Sequence, residues 1–574
     1  MSFRLRTIFL AGALLVGGLL HARDYEQNVD MVTGADADIK LTVPGAQMPQ
    51  MGFLAMRVRI NNRATTERSW RLELGVGPTG GYPYPSGIAH SSVHTLDVPA
   101  ASTREFFVFA PLMSGASGRP GSFQGSVSGP QVRRSEFGLS LAFNWGVPYA
   151  PVAVEPGLET RLTESITALP PINPLPGPGR MPIRGSARAA VAQNVGVIDP
   201  ALWPADWRLW SPYTSVVLDE STWERLDSAR RRALLDWVAL GGRLVRLNSR
   251  TVSRESRGAG LVVTRTESML TGSRDIREFL RNNPGRQAAP YGRLVNQGFW
   301  HLSPGEWQLS GRHRWLTGYI LLFGLLVGPV NLFYFAPAGR RHRLFFTVPI
   351  LSLGSALLLF GIIMISDGFG GAGTRRALVV LQPEQNQAAV FQQQISRTGL
   401  LTGRKFSLPA DTIMIMEGED RQAAGAGQQL AREGDEASGD WFASRATQQH
   451  SLRRLVPSRE RVELVSAPGA DPVVQSTVAG TLREFLFIDP SGKMWMAAEV
   501  PPGTRVSLAA QPVGPHTGPT DLVGKFTPNP QLARGAFYAF GGADALIPTL
   551  PAIRWRDDHV LYTGRLGPSE EAAP

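Results

Sequence analysis

The chain has 574 residues, 43% hydrophobic and 18% charged, with a formal net charge of +11 and no cysteine. That length calls for three or four domains, that composition excludes a wholly disordered chain, and the missing cysteine excludes disulfides, thiolate metal sites and Cys nucleophiles. The basic residues are nearly all Arg and are scattered, with Lys only at Lys40, Lys405, Lys493 and Lys525, so the charge reads as compositional bias or attraction to anionic headgroups and wall polymers, not as nucleic-acid binding.

Arg4 and Arg6 precede an apolar run from Thr7 to Leu20 and the sequence Leu20-His21-Ala22. This predicts a secretory signal over residues 1–22, cut after Ala22, or the same segment retained as an anchor. Either sends the following residues outward. From Asp24 to Trp145 the pattern has period two: Leu54, Met56, Val58 and Ile60 alternate with Ala55, Arg57 and Arg59 before the turn residues Asn61 and Asn62, and Trp70, Leu72, Leu74 and Val76 repeat it. Such alternation sets one face on a core and the other in water. With further strands at His94 to Val98, Glu105 to Phe109 and Phe137 to Trp145, residues 23–147 read as an immunoglobulin-like β-sandwich, a fold that binds or spaces more often than it catalyses.

Residues 148–312 read as an α/β domain with a parallel sheet. Val152 to Val154 is a first strand and Leu158 to Leu169 a helix, after which Pro170, Pro171, Pro174, Pro176 and Pro178 enforce a loop. Ser215 to Leu218 is a buried strand, and Ser221 with Glu224 has capping-box spacing. A helix from Ser228 to Leu240 follows, with Ala229, Ala233, Leu234, Trp237 and Val238 on one face. Gly241 and Gly242 supply the left-handed conformations of its cap and turn, and Arg243 to Leu247 is the next strand. Leu261 to Thr264 and Gly298 to Leu302 complete the sheet.

The strings Leu202-Trp203-Pro204, Asp206-Trp207, Val216-Val217-Leu218, Leu235-Asp236-Trp237-Val238 and Gly241-Gly242-Arg243-Leu244-Val245 resemble the class I glutamine amidotransferase-like domain of uncharacterised bacterial envelope membrane proteins. In such proteins the domain precedes a helical pair similar to Gly328-Pro329-Val330-Asn331 with its basic turn, and a β-rich tail comes last. True amidotransferases use a Cys, so the resemblance implies a fold kept without its reaction. It also implies partners such as other envelope membrane proteins, ATPases or von Willebrand A-type proteins.

Two apolar segments, Leu316 to Phe335 and Leu344 to Ile365, flank a turn containing Arg340, Arg341, His342 and Arg343. At ~1.5 Å rise per residue each spans roughly the 30 Å hydrocarbon core, which predicts a transmembrane helical hairpin over residues 313–368. The Arg-dense turn belongs in the cytoplasm, so both large soluble regions face outward from a bacterial inner membrane, with Trp307 and Trp315 leading to the interface. Pro329 and Asn331 admit two readings: part of a conduit or partner contact, or an amide near the cytoplasmic end that reaches headgroups or carbonyls freed by the proline.

The glycines from Asp367 to Gly373 read as a flexible exit. Residues 374–566 form a β-rich exported domain, with strands at Ala377 to Leu381, Ala388 to Ser396, Phe485 to Ile488 and Lys493 to Val500. Asp489-Pro490-Ser491-Gly492 is a hairpin turn, Glu417 to Gly439 a mobile loop, and 567–574 a disordered tail.

Signals for chemistry are sparse. His90 and His94 are four apart, but on a strand that spacing does not converge on a metal. Asp219-Glu220 has the placement of a helix cap rather than of an acid pair. No Walker loop or G-x-S-x-G elbow occurs. Trp441, Arg445, His450 and Arg453 form an anion-site candidate, against which stands a solvated face with a core aromatic pair. No cofactor is expected. The whole predicts a non-catalytic envelope scaffold or interaction protein; the alternatives are a hydrolase of wall or glycan material working through the α/β domain, and a transporter accessory subunit.

Overall fold

In the computed structural model the described residues are 24–44, 52–76, 90–112, 123–133, 136–139, 152–160, 162, 195–266, 312–337, 339–417, 430–466, 470–510 and 532–566. The signal or anchor segment, the strand expected at Gly298 to Leu302, most of the helix expected at Leu158 to Leu169 and the tail lie outside them.

The period-two stretches form strands β1 (Tyr25–Asn28), β2 (Ala37–Val43), β3 (Gly52–Asn62), β4 (Arg68–Val76), β5 (His90–Val98), β6 (Ser102–Leu112), β7 (Phe123–Ser128) and β8 (Glu136–Leu139). A four-stranded sheet in the order β1-β2-β3-β6 faces a second sheet containing β5-β4-β7-β8. The apolar residues of the alternation meet between them: Val58 and Ile60 from one sheet, Trp70, Leu72, Leu74 and Leu96 from the other. Asn62 is fully buried, which a turn residue would not be. Its Nδ2 donates to the carbonyls of Thr66, Val98 and Pro99 and its Oδ1 accepts from the Ala64 N–H, so it closes off buried backbone that would otherwise be costly.

Between residues 148 and 312 lie β9 (Val152–Val154), β10 (Val195–Val197), β11 (Ser215–Asp219), β12 (Arg243–Leu247), β13 (Ser253–Arg257) and β14 (Gly260–Thr264), with helices α1 (Glu220–Arg225) and α2 (Ser228–Ala239). The order is β10-β9-β11-β12-β14-β13, parallel except for the β13 edge. Ala233, Leu234, Trp237 and Val238 are buried as their spacing predicts, whereas Ala229 stays exposed. The α1 cap is Asp219, whose carboxylate accepts the Ser221 N–H at 2.9 Å, so the capping-box reading moves two residues upstream. Only Gly241 is left-handed, at φ +112°. Gly242 is required for closeness instead, since a Cβ there would lie 2.3 Å from the Trp237 ring.

The last region contains β15 (Gly371–Gln382), β16 (Gln387–Thr398), β17 (Phe406–Ser407), β18 (Ile413–Glu417), β19 (Leu430–Glu433), β20 (Glu436–Gly439), β21 (Thr447–Pro457), β22 (Val462–Leu464), β23 (Val473–Ser476), β24 (Leu482–Ile488), β25 (Met494–Val500), β26 (Arg505–Ser507), β27 (Ala509–Ala510), β28 (Ala536–Gly541) and β29 (Ile553–Arg565). Nine of these form one sheet, β18-β21-β16-β15-β29-β28-β24-β25-β27, and β22-β23-β26 form a small one. The Asp489 turn is as expected, with the Gly492 N–H donating to the Asp489 carbonyl and the Asp489 N–H to that of Lys493.

Here the sequence reading of a mobile loop from Glu417 to Gly439 is corrected over its second half. Strand β19 lies parallel to β5, pairing Leu430 with His90 and Glu433 with Val93, so β17-β20-β19 extend the second sheet of the N-terminal sandwich. Arg432 ties β19 to the segment between β17 and β18. It is buried and donates to the carbonyls of Thr412, Leu408 and Pro409, and burial brings its pKa down to about 10.

The α/β unit is packed from both sides. Ala239, Leu240 and Ala259 join Leu378, Phe391, Leu486 and Tyr538 on one face of the nine-stranded sheet. Gln387 donates to Asp236 across that seam at 3.0 Å. On the other side Phe53 and Phe107 meet Trp207 and Trp203, and the Phe53 N–H donates to Ser211 Oγ at 2.8 Å. The tryptophans in the strings that carry the amidotransferase resemblance are thus packing residues. Each buried aromatic of this size contributes about 2–3 kcal/mol.

Helix α3 (Arg312–Leu325) continues as a π-helical segment, Leu326–Phe335, and after the Arg turn α4 (Leu344–Asp367) returns. Two helices are therefore long and apolar enough to cross a membrane, and the other described residues cover almost none of either. The glycine exit is corrected from a flexible linker to a bonded joint. Gly370 donates to the Leu400 carbonyl, Leu400 to that of Gly368, Gly399 to that of Gly370, and Gly371 to that of Ala552. Gly370 has φ +81°, and a Cβ there would stand 2.3 Å from the Ala552 oxygen, so glycine is needed twice over.

Candidate functional site

Parallel strands offer ligands the crevice beyond their carboxyl ends, at the point where strand order reverses. In this sheet β10 lies on one side of β9, and β11, β12 and β14 on the other, so the reversal falls between β9 and β11. Glu155 follows β9 directly and Asp219 ends β11. Glu155 is buried, one carboxylate oxygen has no hydrogen-bond partner among the described residues, and burial pushes its carboxyl up against the bonds from Thr222 and the Asp219 backbone. Asp219 caps α1 and accepts from Asn248, which sits in the left-handed region at φ +56°. Glu220 is held by Arg246, whose Nε donates at 2.8 Å. Of these acids, only Glu155 keeps an unused oxygen. Sequence reasoning missed it, although a glutamate ending an apolar Val-Ala-Val strand is the available signal.

A cleft of about 1750 Å³ opens beside the same sheet. Its walls are β13 with the end of β12, β22 and the far ends of β15, β24, β25 and β29. Val252, Leu464 and Val465 are exposed on it. Asp489 there accepts from the Trp495 Nε1 at 3.1 Å and from Ser491, and the Lys493 ammonium lies 3.8 Å from the Trp495 ring centroid. No histidine is among the described residues that line it.

The four residues of the anion-site candidate do not converge. Trp441 and His450 are buried together: the His450 Nε2–H donates to the Trp441 carbonyl at 2.9 Å, and Phe442 lies 4.7 Å from the imidazole. Burial lowers the His450 pKa to about 4, so the ring is neutral at physiological pH. Arg453 is three residues along β21 and therefore points to the opposite face of the sheet, while Arg445 lies outside the strand in a left-handed turn at φ +58°. His90 and His94 both fall on β5, about 13 Å apart along the strand. Burial, then the Arg208 charge, lowers the His94 pKa to about 4. Among the described residues no group of three or more His, Cys, Asp and Glu is placed to hold a metal.

In the helical pair Pro329 falls inside the π-helical segment, which accommodates the carbonyl that a proline leaves without its donor. Asn331 is fully buried, and among the described residues neither its Oδ1 nor its Nδ2 has a hydrogen-bond partner. The amide therefore bonds no freed carbonyl among the described residues. The helices are joined instead by the Tyr319 hydroxyl, which bonds Ser355 on α4. Arg340, Arg341 and Arg343 are exposed on the turn.

Neither the protein-family profiles nor the curated protein sequences yielded a match. Solved structures give partial likenesses. A β-glucosidase from Chaetomella raphigera aligns at 11% identity and TM-score 0.14, over 21% of this chain and 19% of its own. A cycloisomaltooligosaccharide glucanotransferase from Paenibacillus aligns at 7% identity and TM-score 0.17, over 40% and 28%. The yeast δ-COP μ-homology domain aligns at 7% identity and TM-score 0.17, over 34% of this chain and 96% of its own. At such scores these likenesses establish neither fold nor activity.

Proposed function

We propose that this chain is a non-catalytic envelope scaffold, an exported body carried on a helical hairpin in a bacterial inner membrane, with the Arg turn in the cytoplasm. The observation that carries this reading is the pair of apolar helices that the other described residues leave uncovered, the second of them joined to the body through three residues, Gly368 to Gly370. Exposed apolar helix surface on this scale is what lipid or partner helices cover. On this reading the N-terminal sandwich is immunoglobulin-like and the parallel unit is an amidotransferase-like fold serving as a packing block. Its strand-end acids support that role, since Asp219 and Glu220 are held in a cap and an ion pair. Partners are other envelope membrane proteins, an ATPase or von Willebrand A-type proteins among them.

One observation favours a second reading, an enzyme or ligand receptor: Glu155, with its unused oxygen and raised carboxyl at the strand-order reversal. In-cell cross-linking, detergent solubilisation and affinity purification separate the two. Reproducible recovery of the same membrane proteins is the expected result. Recovery of this chain alone, from cells where cross-linking of a known complex succeeds, contradicts the scaffold and moves attention to Glu155.

A further inference from the structure

We infer that the membrane-proximal rim of the nine-stranded sheet is a docking surface for anionic lipid headgroups, formed by Phe369 with Arg397, Arg445, Arg554 and Arg556. The inference rests on the spanning reading of the helical pair and goes beyond it, because spanning alone leaves the body free to stand off from the bilayer.

Three observations converge on this rim. The first is distance. Helix α4 ends at Asp367 and β15 begins at Gly371, so the sheet starts within about 14 Å of the helix end even with the chain extended. The joint's backbone bonds hold it there. Headgroup regions extend about 6 Å beyond the hydrocarbon on each side.

The second is Phe369, which stands 71% exposed between left-handed Gly368 and Gly370. An aromatic side chain held out from the fold at a helix exit suits the membrane interface, where aromatic rings concentrate. In a soluble linker it would be an uncompensated apolar exposure.

The third is charge. Strand register puts Arg554 opposite Ala372, and Arg556 falls at the bulge where β29 slips by one residue against β15, between Trp555 opposite Gly373 and Asp557 opposite Thr374. Both are exposed. Arg397 lies opposite Ala372 on the other side of β15. Arg445 is brought to the same place by its backbone, which donates to the Gly399 carbonyl at 2.9 Å, while Gly399 donates to Gly370. A non-glycine residue in the left-handed region is tolerated where surroundings impose it, and here it fixes the backbone of an exposed arginine beside the joint. Guanidinium groups pair with phosphate in planar two-point fashion, and their stems are long enough to reach from the rim to a headgroup.

The test uses the full-length chain in vesicles of zwitterionic lipid, with and without phosphatidylglycerol. The absence of native cysteine allows single sites: Phe369→Cys and Arg554→Cys on the rim, and Leu357→Cys within α4 as a depth reference, each carrying an environment-sensitive fluorophore. Quenching is read from nitroxides attached to headgroups or to acyl chains. The expected result is headgroup quenching at 369 and 554 that grows with phosphatidylglycerol. It should fall in high salt, and in an Arg445→Glu/Arg556→Glu background on the 369 probe, each lost arginine weakening docking by about fivefold. Acyl-chain quenching at 357 without headgroup quenching at 369 overturns the docking surface and leaves the spanning pair standing. Quenching at 369 that ignores salt and lipid charge overturns recognition of anionic headgroups. No quenching at 357 overturns the spanning reading, and the docking surface with it.

Discussion

Gly260→Ala should unseat the α/β unit and cost about 3 kcal/mol or more of stability. A Cβ at this position would lie 1.9 Å from the Val238 carbonyl oxygen and 2.3 Å from that of Gly242, both backbone atoms that cannot rotate away. The crowding is a consequence of useful bonding: Ala259 donates to the Ala239 carbonyl and Leu261 to that of Gly242, drawing the start of β14 onto the end of α2. The same turn carries Ala239, Leu240 and Ala259 onto the nine-stranded sheet. Forcing it apart therefore loosens the helix, the β14 edge and the seam with the large sheet together. Gly241→Ala is the control. It meets nothing within 4 Å but keeps φ +112°, so it should cost only about 1–2 kcal/mol of backbone strain. Thermal or urea unfolding of the detergent-solubilised chain reads both, and equal losses for the two variants would contradict the packing argument.

Acidification from pH 7 to 4.5 should remove stability through His450, by about 2 kcal/mol for this group alone. The fold keeps the imidazole neutral down to about 4, because it is buried and only its Nε2–H has a partner. In the unfolded chain it takes a proton near its ordinary 6.5. Between those values the unfolded state binds the additional proton, so stability falls as pH drops through the window. Above 6.5 both states are neutral and His450 contributes no pH dependence. His450→Gln retains an N–H donor but cannot titrate, so its stability should fall less steeply over the window than that of the parent. His94, also lowered to about 4, adds a slope of the same sign in both proteins. Parallel slopes in the two chains would show that His450 is already protonated in the fold, against its burial beside Phe442 and Trp441.

The elements governed by local periodicity were legible in the sequence. Leu54 to Ile60, Trp70 to Val76, Ser228 to Leu240 and the two apolar segments each carry their own period, and each forms the expected element. What escaped were choices settled by distant backbone. The pairing of β19 with β5 joins residues that are 340 apart, as Leu430 and His90 are, and short polar strands such as Leu-Ala-Arg-Glu advertise nothing until their partner is placed. The glycines that follow α4 read locally as freedom, yet the carbonyls of Ala552, Leu400 and Gly368 convert them into a joint. Trp441 and His450 form a recognisable polar-aromatic string, but strand alternation sends Arg453 to the other face and burial silences the imidazole. Glu155 was hidden for the opposite reason: its importance comes from strand order, which no local pattern encodes.

On the proposed reading one body stands on the outer side of a membrane, held by two helices whose connecting turn lies inside. Side-specific labelling of single cysteines in intact and permeabilised cells tests it most directly, using Thr402→Cys on the exposed body and Arg341→Cys on the turn. An impermeant maleimide should reach position 402 without inner-membrane permeabilisation and position 341 only after it. Labelling in the reverse order, or of both sites from one side, would contradict it.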